Sequence, residues 1–363
     1  MDNNLYCGEM RPGYRSYCHP NKYKPQPPAL LRNRGDGAFE DVSARAGLAK
    51  VPANGLGIVT FDYNRDGWPD IFIANDTMPN SLFRNKGNGT FEEVAVSAGV
   101  AFGENGETEA GMGVDAADYD GDSFTDIFVT HLDFELNRLY RRTKSAFEDA
   151  TLSSGLGYQA FHLSGFGVRF IDYDNDGWRD LFLANGHVLD NIHLFHVKTS
   201  FAEPKLVFRN NRRKFENVTA RLGEDLLVER PSRAAAFGDY DNDGDIDVLV
   251  TNSGQAPQLF RNDGGNRNHW LQVRLIGTKS NRDGVGARVT VRAGSAAWVD
   301  ERKGGMSYQA AHDPRLHFGL GGVARVDSVE VLWPAGGTDR VAAVEADRVL
   351  VIQEGSGDVK RPQ

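Results

Sequence analysis

The sequence predicts an all-β protein: a β-propeller of about four four-stranded blades, followed by a small β-sandwich-like domain. Three observations predict this fold. An aspartate-rich segment of nine residues occurs four times. The first three copies begin about 55 residues apart, and the last interval is longer. Each copy lies between two short apolar runs of strand length, and a hairpin pattern follows it. Four strands per unit, repeated along the chain, are typical of propeller blades.

Each repeat is predicted to contain its four strands in the same order. Strand one follows a glycine pair, such as Gly55 and Gly57, and ends at the aspartate-rich segment. Strand two is the apolar run after that segment, such as residues 71–74. Strands three and four form a hairpin with the patterns Leu-Phe-Arg-Asn and Phe-Glu-x-Val, as in residues 82–85 and 91–94.

The third aspartate-rich segment, residues 172–180, shows the motif most clearly. It has carboxylates at positions 1, 3, 5 and 9, and Gly177 at position 6. This spacing matches the first nine positions of an EF-hand calcium loop, where position 7 binds through its backbone carbonyl and position 6 must turn sharply. Position 12, the closing glutamate of an EF-hand, is Leu183 in an apolar run, so a strand is expected to follow.

The four segments predict about four calcium sites. Magnesium fits less well, because it requires tight octahedral geometry. Without a cation, the clustered carboxylates would repel one another. We expect the ions to join strand one to strand two, a structural role. The predicted ligands, with position 7 binding through its carbonyl, are Asp62, Asn64, Asp66, Trp68 and Asp70; Asp118, Asp120, Asp122, Phe124 and Asp126; Asp172, Asp174, Asp176, Trp178 and Asp180; and Asp239, Asp241, Asp243, Asp245 and Asp247.

The four segments are not equivalent. The first has Asn64 at position 3 and should bind most weakly, because it has one carboxylate fewer. The second has Ser123 at position 6 and Gly121 at position 4, so a shifted geometry is expected. The fourth has Asp245 at position 7, whose extra charge is expected to raise affinity. Aromatic residues at position 7 are expected to pack on the neighbouring hairpin and not to stack on a sugar: Trp68, Phe124 and Trp178.

The sequence divides into four parts. Residues 1–29 show no periodicity, residues 30–265 hold the blades, residues 266–355 contain short strands without acidic loops, and residues 356–363 form a polar tail. The blade region opens with strands three and four of a blade, at residues 30–42, without strands one and two. Either this hairpin closes a small ring with the last blade or upstream blades are missing. We expect the second, a truncated propeller.

Composition excludes several classes of protein. The formal net charge is −9, and four calcium ions would offset most of it, so the acidity is mostly local to the loops. No basic stripe indicates a nucleic-acid partner. No transmembrane segment and no signal peptide are visible in this chain. Cys7 and Cys18 are either one local disulfide or two free thiols. The oligomeric state is not indicated.

Other chemistry has weaker support. No Gly-x-Ser-x-Gly elbow, phosphate loop or His-Glu-x-x-His motif occurs, so no catalytic residues are assigned. Two sets of loop residues could carry other chemistry. One could form a transition-metal site and the other could act as acid–base groups: His187, His193 and His196, and His131, Asp133 and Glu135, respectively. For both sets an ordinary surface role is favoured.

The acidic loops and their flanking strands resemble FG-GAP (VCBS) repeats, the units of the integrin α-subunit propeller. Residues 281–289, 313–321 and 331–334 resemble the ASPIC/UnbV domain. Together they are similar to the cartilage acidic protein family and its bacterial relatives, over about residues 30–355. The resemblance implies a secreted, extracellular or periplasmic protein with further repeats upstream.

Three functions are compatible with these patterns. The favoured one is a calcium-binding propeller that acts as a binding module for a protein or a glycan, selected by loops on one face. The second is an enzyme or accessory protein in secondary metabolism or polymer processing, and enzyme activity is the less favoured expectation. The third is an N-terminally truncated fragment of a longer secreted repeat protein.

Overall fold

The computed structural model describes residues 5–356, which form 26 strands and three single-turn α-helices. The protein is therefore nearly all-β, as predicted. The predicted tail lies, apart from Ser356, outside the described residues. None of the helices in residues 5–356 is long and apolar enough to cross a membrane.

Two small hairpins precede the repeats: β1 (Cys7–Gly8) with β2 (Arg15–Ser16), and β3 (Leu31–Asn33) with β4 (Phe39–Asp41). A disulfide between Cys7 and Cys18 closes the first hairpin, so the bonded alternative is the one observed. The Asn191 side chain donates to the backbone carbonyls of Gly13 and Arg15, both at 2.8 Å, and attaches this hairpin to a later loop.

Three antiparallel four-stranded sheets follow, each hydrogen-bonded in chain order. Their strands are β5 (Gly55–Phe61), β6 (Asp70–Asn75), β7 (Ser81–Asn85) and β8 (Phe91–Glu93) in sheet I; β9 (Val114–Ala117), β10 (Asp126–Val129), β11 (Arg138–Arg142) and β12 (Phe147–Asp149) in sheet II; and β13 (Gly165–Ile171), β14 (Asp180–Asn185), β15 (Leu206–Asn210) and β16 (Phe215–Asn217) in sheet III. Sheet IV has three strands among the described residues: β17 (Ser232–Gly238), β18 (Asp247–Asn252) and β19 (Gln255–Phe260). Helices follow the last strand of three of these hairpins: α1 (Ser43–Ala46), α2 (Ala95–Ala98) and α3 (Thr219–Leu222).

The first strands of successive sheets lie side by side, β5 against β9, β9 against β13, and β13 against β17. Glycine allows this approach, because a Cβ on Gly57 would lie 2.2 Å from the Met112 carbonyl oxygen. A separate apolar core fills the space between each neighbouring pair of sheets. The sheets are therefore propeller-like blades. No strand pairing within residues 5–356 joins sheet IV to the β3–β4 hairpin, which packs on sheet I and does not close a small ring.

The C-terminal part contains two sheets around one shared core. Its strands are β20 (His269–Ile276), β21 (Arg288–Ala293), β22 (Ala296–Glu301), β23 (Leu316–Gly321), β24 (Arg325–Leu332), β25 (Thr338–Glu345) and β26 (Arg348–Gln353). In one sheet, β20 pairs antiparallel with β23 and parallel with β26. In the other, the order is β22-β21-β24-β25. This arrangement is the predicted β-sandwich-like domain.

Replacing Gly113 by alanine should destabilise the contact between sheets II and III. Its Cβ would lie 1.8 Å from the Phe166 carbonyl oxygen, so the first strands must move apart. Overpacking of this kind costs about 1–3 kcal/mol, and we expect the melting temperature to fall by at least about 3 °C. Gly322→Ala is the matched control, because its Cβ meets nothing within 4 Å. Equal melting temperatures for the two variants would contradict this packing.

Candidate metal centres

Each aspartate-rich segment forms the loop between the first and second strands of its sheet, and these are named loops 1 to 4 in chain order. Positions 4 and 6 have positive φ angles in every loop. In loop 3 they are Asn175 at 53° and Gly177 at 91°. The shift expected for loop 2 is not observed, because Ser123 adopts a φ of 69° and Gly121 supplies the other positive φ, at 75°.

The aspartate at position 1 organises the bend of each loop. In loop 3, Asp172 accepts hydrogen bonds from the backbone N–H groups of Asp176, at 3.0 Å, and Gly177, at 2.9 Å. The same two bonds, from positions 5 and 6, occur in the other three loops. Because the carboxylate at position 1 binds the N–H groups of positions 5 and 6, the loop folds back. The side chains of its other acidic positions then point towards one common region.

The aspartate at position 9 joins the loop to two strands. Asp180 accepts from the N–H of Tyr173 at 3.2 Å and from the N–H of Asn210, at the end of strand three, at 2.7 Å. Equivalent pairs of bonds are made by Asp70, Asp126 and Asp247. All four are almost completely buried. One side chain therefore connects the loop, strand two and strand three of its sheet.

Three of the loops gather carboxylates to a common point. One oxygen from each member lies within 4.8 Å of the others in three groups: Asp118, Asp120 and Asp122; Asp172, Asp174 and Asp180; and Asp239, Asp241 and Asp247. Loop 1 has no such group, because position 3 is Asn64, whose side-chain oxygen accepts from the N–H of Asp66 at 3.1 Å. Loop 1 thus has one carboxylate fewer, and its weaker binding stays a prediction.

Position 5 has a different neighbourhood in loop 3. Asp176 accepts from the N–H of Trp178 at 3.0 Å and pairs with Arg209 at 3.1 Å. Arg209 also lies 2.9 Å from Asp174. In loop 4, Asp243 likewise accepts from the N–H of Asp245, at 3.2 Å. The carboxylate at position 5 therefore accepts a backbone N–H in both loops, and in loop 3 it also pairs with an arginine.

Burial raises the pKa of the more buried loop carboxyl groups, such as Asp70, Asp118 and Asp172, and the neighbouring aspartates add to this effect. The pKa values of Asp70 and Asp172 are raised to about 8, and that of Asp118 to about 6. The pKa of Asp180 is raised well above its usual range. The buried Asp174 Oδ1 has no hydrogen-bond partner. A divalent cation would neutralise these charges and bind that oxygen, so the residues present fit such an ion.

Position 7 differs among the loops. Trp68 lies against Gly87 in the turn of its own hairpin, as predicted. Phe124 and Trp178 instead contact the preceding loop: the Arg65 guanidinium lies 3.6 Å from the Phe124 ring centre, and a Cβ on Gly121 would lie 3.5 Å from the Trp178 ring. The Asp245 side chain accepts from the N–H of Gly265 at 3.0 Å, so its carboxylate is directed towards the chain leading to the C-terminal domain.

The C-terminal domain contacts all four loops. Glu301 accepts from the N–H of Asp62 in loop 1 at 3.0 Å, and Arg288 donates to the Ser123 carbonyl in loop 2 at 3.0 Å. The remaining two contacts are His317 with Asn175 in loop 3 at 2.6 Å and Gln272 with Asp239 in loop 4 at 2.8 Å. Sequence reasoning missed these residues, since nothing local marks a side chain that contacts a loop from 33 to 239 residues away in the chain. The C-terminal domain therefore contacts every loop, while residues 65–68, 121–122 and 240–243 stay exposed.

Between the first strands and the C-terminal domain lies a small, partly open cavity of about 30 Å³, lined by charged groups. Asp300 holds Arg179 at 2.9 Å and Lys303 at 2.8 Å. Since one buried water needs about 10–15 Å³, the cavity has room for about two waters and not for a substrate. The charges here bind the domains to each other.

The other loop candidates are not brought together. His187 is buried, with Nε2 3.0 Å from Asp133 and Nδ1 accepting from the N–H of Leu189 at 2.9 Å, so both ring nitrogens are occupied. His193 and His196 are exposed. Within residues 5–356, no group of three metal-ligating side chains includes these histidines. Glu135 accepts from the N–H of Ala110, while His131 lies 3.9 Å from Glu109.

Replacing Asp300 by asparagine should weaken the domain contact. Burial would raise the pKa of Asp300, but Lys303 and Arg179 outweigh it and lower the pKa to about 2. Its stabilisation is therefore present above pH 3.8 and is lost as the pH falls towards 2. Breaking a buried pair costs about 3–5 kcal/mol.

Chemical denaturation at neutral pH measures this loss. The control is Glu345→Gln, which removes an exposed pair with Arg325 and should cost less than about 1 kcal/mol. A loss for Asp300→Asn no larger than that of the control would show that the buried pair contributes little.

Comparison with known proteins agrees with the architecture. The family described as FG-GAP-like repeat matches residues 23–73, 62–129 and 172–250, which together extend over about half of the chain. The family described as ASPIC and UnbV matches residues 277–359.

Curated relatives are similar over most of the chain. Cartilage acidic protein 1 of Mus musculus is 31% identical over 90% of this chain and 49% of that protein, and the Homo sapiens protein is 30% identical over 90% and 48%. The chain spans about half the length of these relatives. A solved Agrocybe aegerita lectin, described as recognising non-reducing terminal N-acetylglucosamine, has 18% identity and a TM-score of 0.34 over 65% of this chain and 60% of that one, too low for any inference. The chain belongs to the FG-GAP-repeat proteins, has a C-terminal ASPIC/UnbV domain and is similar to cartilage acidic protein 1.

Proposed function

We propose that the protein is a calcium-binding interaction module of the extracellular space or the periplasm. The observation that carries this proposal is the gathering of three carboxylates within 4.8 Å in each of loops 2, 3 and 4. Oxygen ligands in a flexible acidic loop suit calcium better than magnesium. Loop 1 is the weakest of about four sites, because Asn64 replaces a carboxylate.

Calcium has a structural role in this proposal. Each ion neutralises the aspartates of its loop, including the buried one at position 9 that joins the loop to strands two and three. The C-terminal domain contacts every loop, so part of the surface around the ions is already used within the chain. Residues 30–265 and 266–355 then act as two parts of one unit. The disulfide between Cys7 and Cys18 supports an oxidising compartment.

The partner in this proposal is a protein or a glycan, and the opposite end of the blades offers the binding loops. Two insertions lie there, at residues 130–137 and 186–205, after the second strands of sheets II and III. Connecting loops on a rigid scaffold commonly carry recognition. Immobilised protein should bind members of a glycan array or a panel of extracellular matrix proteins in calcium buffer. Absence of any bound partner from both panels would contradict the interaction role.

Chelation should lower the melting temperature, because calcium binds the folded loops and not the unfolded chain. At a calcium concentration of about 100 Kd, one site contributes about 2.7 kcal/mol. Differential scanning calorimetry with EDTA, then with added calcium or magnesium, measures the effect. Calcium should restore the transition more fully than magnesium. An unchanged transition in EDTA would remove the support for bound ions.

Replacing Asp174 by alanine should remove one calcium ion per chain. This side chain belongs to the loop 3 group and carries a buried oxygen without a partner. Equilibrium dialysis with radioactive calcium counts the ions. The control is Asp36→Asn, in the exposed turn of the β3–β4 hairpin, which should keep the full number. The same number of ions in both variants would refute this ligand assignment.

A further inference from the structure

Sheet IV ends at its third strand. In sheets I to III the third strand pairs with an outer fourth strand: β8, β12 or β16. Within residues 5–356, no strand pairs with the outer edge of β19. Most of β19 is exposed, including 54% of the Leu259 side chain. An unpaired edge of this kind can accept another strand.

The outer strands of the chain share one pattern and one set of contacts. They begin Phe-Glu, and the residue after the strand donates its N–H to strand three: Val94 to Leu82 at 2.8 Å, Ala150 to Leu139 at 2.8 Å, and Val218 to Val207 at 2.9 Å. In two sheets the glutamate pairs with an arginine of strand three: Glu92 with Arg84 at 2.7 Å, and Glu148 with Arg141 at 2.8 Å.

The phenylalanine of an outer strand fills the space between two blades. Phe147 lies 6.2 Å from Tyr63 and Phe215 lies 5.7 Å from Tyr119, each tyrosine being position 2 of the preceding blade's loop. The turn glycine of the preceding blade also touches this residue. A Cβ on Gly99 would lie 2.7 Å from the carbonyl oxygen of Phe147.

The equivalent space between sheets III and IV is an open groove of about 610 Å³. It is lined by Tyr173, the counterpart of Tyr63 and Tyr119, and by Gly223, the counterpart of Gly99. A Cβ on Gly223 would meet nothing within 4 Å. The groove therefore has the tyrosine and the glycine that surround an outer-strand phenylalanine between the other sheets, but no phenylalanine from an outer strand fills it within residues 5–356.

The charge at the groove also matches an outer strand. Arg261 occupies the position of Arg84 and Arg141 in the Leu-Phe-Arg pattern. Its side chain is 55% exposed and pairs with the nearby Asp263 at 2.7 Å. A glutamate on an added strand would reach it as Glu92 reaches Arg84. Within residues 5–356, the chain's own Phe-Glu strands are already paired in their hairpins, so none of these strands is free to be the donor.

We propose that the groove between sheets III and IV binds an extended Phe-Glu-x-Val segment of another polypeptide, followed by a turn of small residues. The segment adds a fourth strand to sheet IV. Its phenylalanine lies beside Tyr173, its glutamate pairs with Arg261, and the N–H of its valine donates to the Leu259 carbonyl. Main-chain pairing supplies affinity and the side-chain positions supply specificity. This interaction surface goes beyond the proposed function and does not require the partner sought there.

A labelled peptide with the sequence of residues 91–100 tests the proposal by fluorescence anisotropy against the full chain in calcium buffer. Saturable binding is expected. A peptide with alanine in place of its phenylalanine should bind at least about tenfold more weakly, because burying that side chain is worth about 1.5–3 kcal/mol. Leu222→Asp places a charge in the groove at a side chain that is already 41% exposed, and should abolish binding.

The matched control is Leu249→Asp, at a side chain 42% exposed that does not line the groove, and it should bind normally. Circular dichroism checks that both variants fold, and Arg261→Glu serves in place of Leu222→Asp if that variant does not. No saturable binding, or equal binding of the alanine peptide, overturns the proposal. If light scattering shows a dimer that the peptide dissociates, the donor is a second copy of this chain. That result would overturn the assignment of the donor to a polypeptide of different sequence.

Discussion

Aspartates at the first and ninth positions of each loop, partly or fully buried, are the constraint on which the blades depend. One holds the bend of the loop and the other joins strands two and three, as Asp180 does through Tyr173 and Asn210. Both functions require carboxylates inside the protein, where the charged form is unfavourable. The remaining aspartates gather beside them, so that a cation could neutralise the group. The same side chains thus connect the strands and belong to the acidic groups that are proposed to bind calcium.

The position of the C-terminal domain changes how the loops are understood. On an isolated propeller, four acidic loops on one face would form an obvious binding surface. Here Glu301, Arg288, His317 and Gln272 each contact a different loop. Part of the loop face is therefore used within the molecule, and the insertions after the second strands of sheets II and III lie at the other end of the blades. The blades and the C-terminal domain are consequently coupled through the same loops that gather the carboxylates.

Much of the fold could be predicted because repetition makes local signals reliable. A single Asp-rich segment has little meaning, but four copies with the same strands around them define the blade, its loop and its predicted ligands. The structure corrected details where one residue was considered alone. Ser123 does not shift loop 2, since Gly121 and Ser123 together supply the two positive φ angles. His187 is not available to a metal because Asp133 and the N–H of Leu189 occupy its ring nitrogens.

The sequence by itself determined the strand order of each blade, the bends between strands and the residues that can gather there. These depend on the spacing of aspartate, glycine and apolar residues within about ten positions, where the backbone allows few alternatives. Only the tertiary structure decided which face the C-terminal domain contacts, which charges pair across the interface and where the groove beside sheet IV opens. Those features join residues far apart in the chain, and their contacts arise from packing that no local pattern records.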